Sequence, residues 1–145
     1  TSCFGAWSSV YVRVAGTLTC STPFEYAIDL MELDTFFDDH IASIRFRNSN
    51  ASKVQYDLEG WAQENDWFNN DVEPYIRIFH TCGSKFGCAC KQWEDVSDDA
   101  EFIVDVNLEK NDVQCDRCND HGSIDDVKAS WGRRHGKFRT SGLTK

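Results

Sequence analysis

The sequence predicts an all-β protein, a seven-stranded sandwich or open barrel stapled by disulfides. Seven short stretches alternate apolar and polar residues with the period of two that marks a half-buried strand. No segment of comparable length repeats at helical spacing. Seven cysteines in 145 residues is a density typical of chains cross-linked in an oxidising compartment.

The strands are expected at residues 9–19, 26–33, 42–47, 53–59, 75–80, 91–94 and 101–108. Residues 61–68 are expected to hold a short helical turn. Residues 111–145 show neither periodicity and read as a loop-rich extension. The chain therefore divides into a sandwich over 1–110 and a cysteine-containing basic extension over 111–145. This length suits a single hydrophobic core.

Net charge is -9, which disfavours nucleic acid as a partner. The charge is uneven. Residues 128–145 carry six basic residues and no acid, whereas residues 1–127 carry 9 basic and 24 acidic ones. Apolar runs are far shorter than the roughly 20 residues that span a bilayer. A secreted chain opening Thr1-Ser2-Cys3 is expected to be a mature form. Asn50-Ala51-Ser52 is an N-glycosylation tripeptide, which agrees with secretion.

In an antiparallel sandwich, alternate connections gather at opposite ends. The first, third and fifth connections bring Cys20, Cys82, Cys88 and Cys90 to one end, where bridges from Cys20 to the 82–90 segment are expected. Cys115 and Cys118 are expected to bridge structurally, with Cys3 as a further candidate partner. An odd count leaves one thiol free or paired between chains, and together with exposed sheet edges this allows a homodimer. His80, Cys82, Cys88 and Cys90 have zinc-compatible residue types, but not the spacing of a finger or ribbon.

The second, fourth and sixth connections bring acidic loops to the other end. Asp34, Asp38 and Asp39 come from the first of these, Asp66 and Asp71 from the next, and Asp98 and Asp99 from the last. An acidic loop tip alone is ordinarily just solvated. Three together repel unless a cation sits among them. Calcium takes six to eight oxygens, so Asp34, Asp38, Asp39, Asp66 and Asp98 are the expected calcium ligands. Trp67 and Phe68, in the middle of the longest loop, are the expected anchors in a lipid interface.

The sequence shows no nucleophile elbow and no phosphate-binding glycine loop, and its four histidines are scattered. A binding protein is expected, not an enzyme. A hydrolase or redox activity would need a lowered thiol pKa at Cys115 or Cys118, or a metal on His80 and the cysteines.

Several stretches occur in a specific order. Val12-Arg13-Val14-Ala15-Gly16-Thr17-Leu18-Thr19-Cys20 comes first, then Tyr56-Asp57-Leu58-Glu59-Gly60. Glu73-Pro74-Tyr75-Ile76-Arg77-Ile78-Phe79-His80-Thr81-Cys82 follows, and Cys90-Lys91 closes the set. Across residues 10–108 the sequence resembles the nematode transthyretin-like secreted proteins. The resemblance implies a transthyretin-like, seven-stranded, secreted β-sandwich. The chain departs from the family in its longer acidic loop after the second strand, its cysteines at 3, 88, 115 and 118, and its basic tail.

One branch of that family recognises phosphatidylserine on apoptotic cells and presents it to a phagocytic receptor. The resemblance thus implies a bridging protein whose partners are an anionic membrane surface and a receptor's extracellular domain. The alternative is an extracellular carrier or receptor ligand for a small apolar molecule or a protein. The tyrosine-arginine-glycine-serine ending of hydroxyisourate-hydrolysing relatives is absent.

Overall fold

Valines and a leucine at alternate positions shape β1 (Ser8–Thr19), the central strand of one sheet. The computed structural model describes residues 8–34, 38–64, 71–119 and 126–130. β1 pairs antiparallel with β4 (Lys53–Glu64) and parallel with β7 (Ala100–Ile103) and β8 (Val106–Asn107). The second sheet runs β3 (Asp39–Ser49), β2 (Phe24–Glu32), β5 (Pro74–His80), β6 (Gly87–Gln92), all antiparallel. The two sheets pack face to face around Val12, Val14, Leu18 and Leu58 from one side and Ile28, Leu30, Ile76 and Ile78 from the other. The protein is therefore an all-β sandwich.

The predicted seventh strand is interrupted after Ile103. The Val104 N–H still bonds the Ala15 carbonyl at 2.9 Å. The Val104 carbonyl, however, points at Gly16 and accepts the Tyr56 hydroxyl at 2.7 Å. A Cβ on Gly16 would lie 1.9 Å from that oxygen, so only glycine fits here. The Asp105 carboxylate replaces the next ladder partner by accepting the Thr17 N–H at 2.9 Å. Two further expectations are corrected. The sixth strand begins at Gly87, four residues earlier than expected. Residues 61–64 extend β4 and form no helical turn, because they pair in register with Ser8–Tyr11.

Among the described residues three disulfides are present: Cys20–Cys82, Cys88–Cys118 and Cys90–Cys115. The first joins the connections at one end of the sandwich, as expected. The zinc alternative is excluded, because Cys82, Cys88 and Cys90 are all spent in bridges and offer no thiolate. The expectation for Cys3 lies outside the described residues.

The other two bridges hold the chain after β8 against β6. Cys88 and Cys90 stand opposite Phe79 and Arg77, on the sheet face turned away from the core. Bonded there to Cys118 and Cys115, they draw a strap of residues 113–119 over that face. The Cys90 N–H donates to the Val113 carbonyl at 3.1 Å. The Gln114 amide donates to the Cys88 carbonyl at 2.8 Å. Val127, in a helical segment at 126–130, packs against Ala27 and Phe79. β5 is consequently buried on both faces, and β2 at all but one position, in contrast to the half-buried strands that alternation predicts.

Candidate functional site

The loops opposite the Cys20–Cys82 end are joined by backbone hydrogen bonds. The Leu33 N–H reaches the Glu73 carbonyl at 2.9 Å, and the Trp93 N–H reaches the Pro74 carbonyl at 2.9 Å. Val72 and Val96 exchange both bonds at 2.8 and 3.0 Å. The start of β1 joins them, its Tyr11 N–H donating to the Asp99 carboxylate at 2.9 Å.

At this end, a cleft of about 450 Å3 opens between the start of β3 and the end of β4. Asp34, Asp39, His40, Ile41, Trp61 and Gln63 line it. β3 comes close to β4 here because Gly60 has no side chain. A Cβ at Gly60 would lie 2.9 Å from the Ile41 carbonyl oxygen. Ile41 falls at a register shift between β2 and β3, where Leu30 pairs with Ala42 and Met31 with His40. Trp61 is 60% exposed and meets Tyr11 edge-on, with ring centroids 5.5 Å apart.

The predicted site residues divide. Asp34 and Asp39 share the cleft. Asp38, between them and the strap, accepts the Tyr75 hydroxyl at 2.6 Å and the Asp34 N–H at 3.2 Å, with Arg117 4.0 Å away. Asp99 is engaged by Tyr11, Asp98 is exposed on its loop, and Asp71 is half-buried. Asp66, Trp67 and Phe68 lie outside the described residues. Among the described residues no three histidine, cysteine or carboxylate side chains gather as a metal site. Sequence reasoning missed Trp61, although the alternation of Tyr56 and Leu58, continued along the strand, places residue 61 on the outer face.

A polar chain leads from the cleft under the sheet surface. His40 Nε2 and Ser43 Oγ are 2.5 Å apart, and the Ser43 hydroxyl donates to Asp29 at 2.8 Å. Asp29 is buried, with Arg45 at 3.1 Å and Arg77 at 3.9 Å. These are the residue types of a hydrolytic triad, but the serine stands in the middle. Its proton is directed to Asp29, so His40 donates to the serine and does not act on it as a base. Arg77 stacks over Tyr75 and Phe79, and Arg117 over the same Tyr75. Burial, and then the bond to Asp38, raise the Tyr75 phenol well above its ordinary range.

On the open sheet face, the Tyr11 hydroxyl donates to Glu59, which pushes its pKa up to about 12. The Arg13 guanidinium holds the Asp57 carboxyl below the usual range.

Fold and site together define a small disulfide-stapled β-sandwich with an acidic cleft beside an exposed tryptophan at one end. No protein-family model, curated protein or solved structure matches the chain.

Proposed function

We propose that this is an extracellular binding protein whose acidic end meets phosphatidylserine-bearing membrane through a bridging cation such as calcium, while another surface engages a phagocytic receptor. The observation that carries this reading is the cleft, where Asp34 and Asp39 stand beside the exposed Trp61. Two carboxylates leave most of a calcium ion's oxygen positions open. Headgroup oxygens would complete the shell, so ion and lipid would bind together. An indole at the rim of such a site suits the membrane–water interface. Three disulfides favour an oxidising exterior. Membership of the nematode transthyretin-like family is part of the proposal. It is supported by the family-like stretches falling on β1, β4 and β5 of a two-sheet sandwich.

The test is co-sedimentation with phosphatidylserine or phosphatidylcholine vesicles, in calcium or in chelator. Binding is expected only with phosphatidylserine and calcium together. Asp34→Asn with Asp39→Asn should weaken it on the order of tenfold, about 1.4 kcal/mol. Asp38→Asn, whose carboxylate faces Tyr75 and Arg117, should leave lipid binding nearly intact. No sedimentation under any condition would refute the lipid reading.

A further inference from the structure

Asn50-Ala51-Ser52 is the chain's single Asn-x-Ser/Thr tripeptide. The motif carries little weight on its own. With eight asparagines and twenty serines and threonines in the chain, about one such tripeptide arises by chance. Its placement says more. Residues 50–52 are the whole connection between β3 and β4, and all three are exposed.

The turn does not need its asparagine. Asparagine earns a turn position by tolerating positive φ or by bonding nearby backbone. The positive-φ residues among those described do not include Asn50. The side chain that shapes this turn is Ser49, whose hydroxyl donates to the Ala51 carbonyl and accepts the Ala51 N–H, both at 3.1 Å. The Ser52 carbonyl accepts the Cys20 N–H at 3.0 Å. Asn107 and Asn111, by contrast, have visible structural duties. Asn107 accepts the Glu109 N–H at 3.0 Å, and Asn111 has φ 54° and accepts from Gln114 at 2.6 Å.

We infer that Asn50 carries an N-linked glycan, a step that rests on the extracellular part of the proposed function. The Asn50 Nδ2 would form a bond to the anomeric carbon of a lipid-linked oligosaccharide diphosphate. The bond from that carbon to phosphate oxygen breaks, the lipid diphosphate leaves, and the amide proton passes to the transferase. Oxidising conditions that form the three bridges are those of the compartment where this transfer occurs. The folded protein keeps the acceptor in solvent, so the modified chain folds without displacing a contact.

The glycan also gives the molecule a sidedness. It sits at the Cys20–Cys82 end, while the cleft lies at the far end of β4. Ten residues of strand lie between Ser52 and Gln63, a span of about 35 Å. The sugar therefore leaves the acidic end open.

The full chain, passed through the secretory pathway of a eukaryotic cell, tests this by intact mass before and after peptide N-glycosidase. The expected result is a heterogeneous mass that collapses on digestion, with Asn50 recovered as aspartate. Asn50→Gln and Ser52→Ala should abolish the shift, and Ser52→Thr should keep it. Secreted protein with all three bridges at the unmodified mass would overturn the inference and leave the extracellular reading standing. Secreted chain at the unmodified mass whose cysteines remain reduced would overturn both.

Discussion

His80 shows how a single residue ties the fold to pH. It ends β5 facing the core, 5% exposed, and its Nδ1 accepts the Cys82 N–H at 3.1 Å. The ring is therefore held in its neutral form with the proton on Nε2. Burial lowers its pKa to about 4. Because the folded value lies below the unfolded one, the stabilisation is complete above about pH 6.5 and is lost as pH falls toward 4. Between pH 7.5 and 5 the loss is about 2 kcal/mol. Urea midpoints across that range should fall more steeply for the wild type than for His80→Asn, which keeps an acceptor for Cys82 but does not titrate. Parallel curves would show that His80 is not the group responsible. Its residue type, beside three cysteines, is zinc-compatible in the sequence, but the spacing is not that of a finger or ribbon. The pairing of those cysteines decides against that role.

At the scale of elements, the period of two located β1 to β5 because each is long enough to show alternation, whereas it caught only the last two residues of β6 and missed the split between β7 and β8. It could not show what long-range contacts impose. The break after Ile103 depends on Gly16, nearly ninety residues earlier. The two-sided burial of β5 depends on the strap. The strap yields a further prediction, because its bridges are nested. Either one alone closes a loop of 25 or 30 residues and stabilises by about 3.5 kcal/mol on the chain-entropy model. Once one is closed, the other adds only a small ring through residues 88–90 and 115–118, about 2 kcal/mol. Cys88→Ser with Cys118→Ser, or Cys90→Ser with Cys115→Ser, should each cost about 2 kcal/mol. Removing all four should cost about 5.5 kcal/mol, beyond the sum of the two. Denaturant unfolding of the three variants measures this. Strictly additive losses would mean that the strap is held mainly by its contacts with Arg77 and Tyr75, not by loop closure.

On the scale of the whole molecule, the proposed membrane contact could be made by either of two charges. The acidic loops meet at one end because strand direction alternates, and this could be read from the order of strands. Which carboxylates share the cleft could not, since it depends on the register shift at Ile41 and the close approach at Gly60. The basic residues beyond 130 offer a competing route, direct attraction to an anionic surface at about 1 kcal/mol per cation. The two routes respond oppositely to truncation. Ending the chain at Ser130 removes five basic residues and takes the net charge from -9 to -14. Direct attraction would then disappear. Binding bridged by calcium at Asp34 and Asp39 should survive, because the cleft and the strap lie wholly before the cut. In low salt with calcium, the truncated protein should therefore co-sediment with phosphatidylserine vesicles within about threefold of full length, a difference of under 1 kcal/mol. Loss of binding on truncation, with the fold intact by circular dichroism, would assign the membrane contact to the tail and leave the acidic cleft to another ligand.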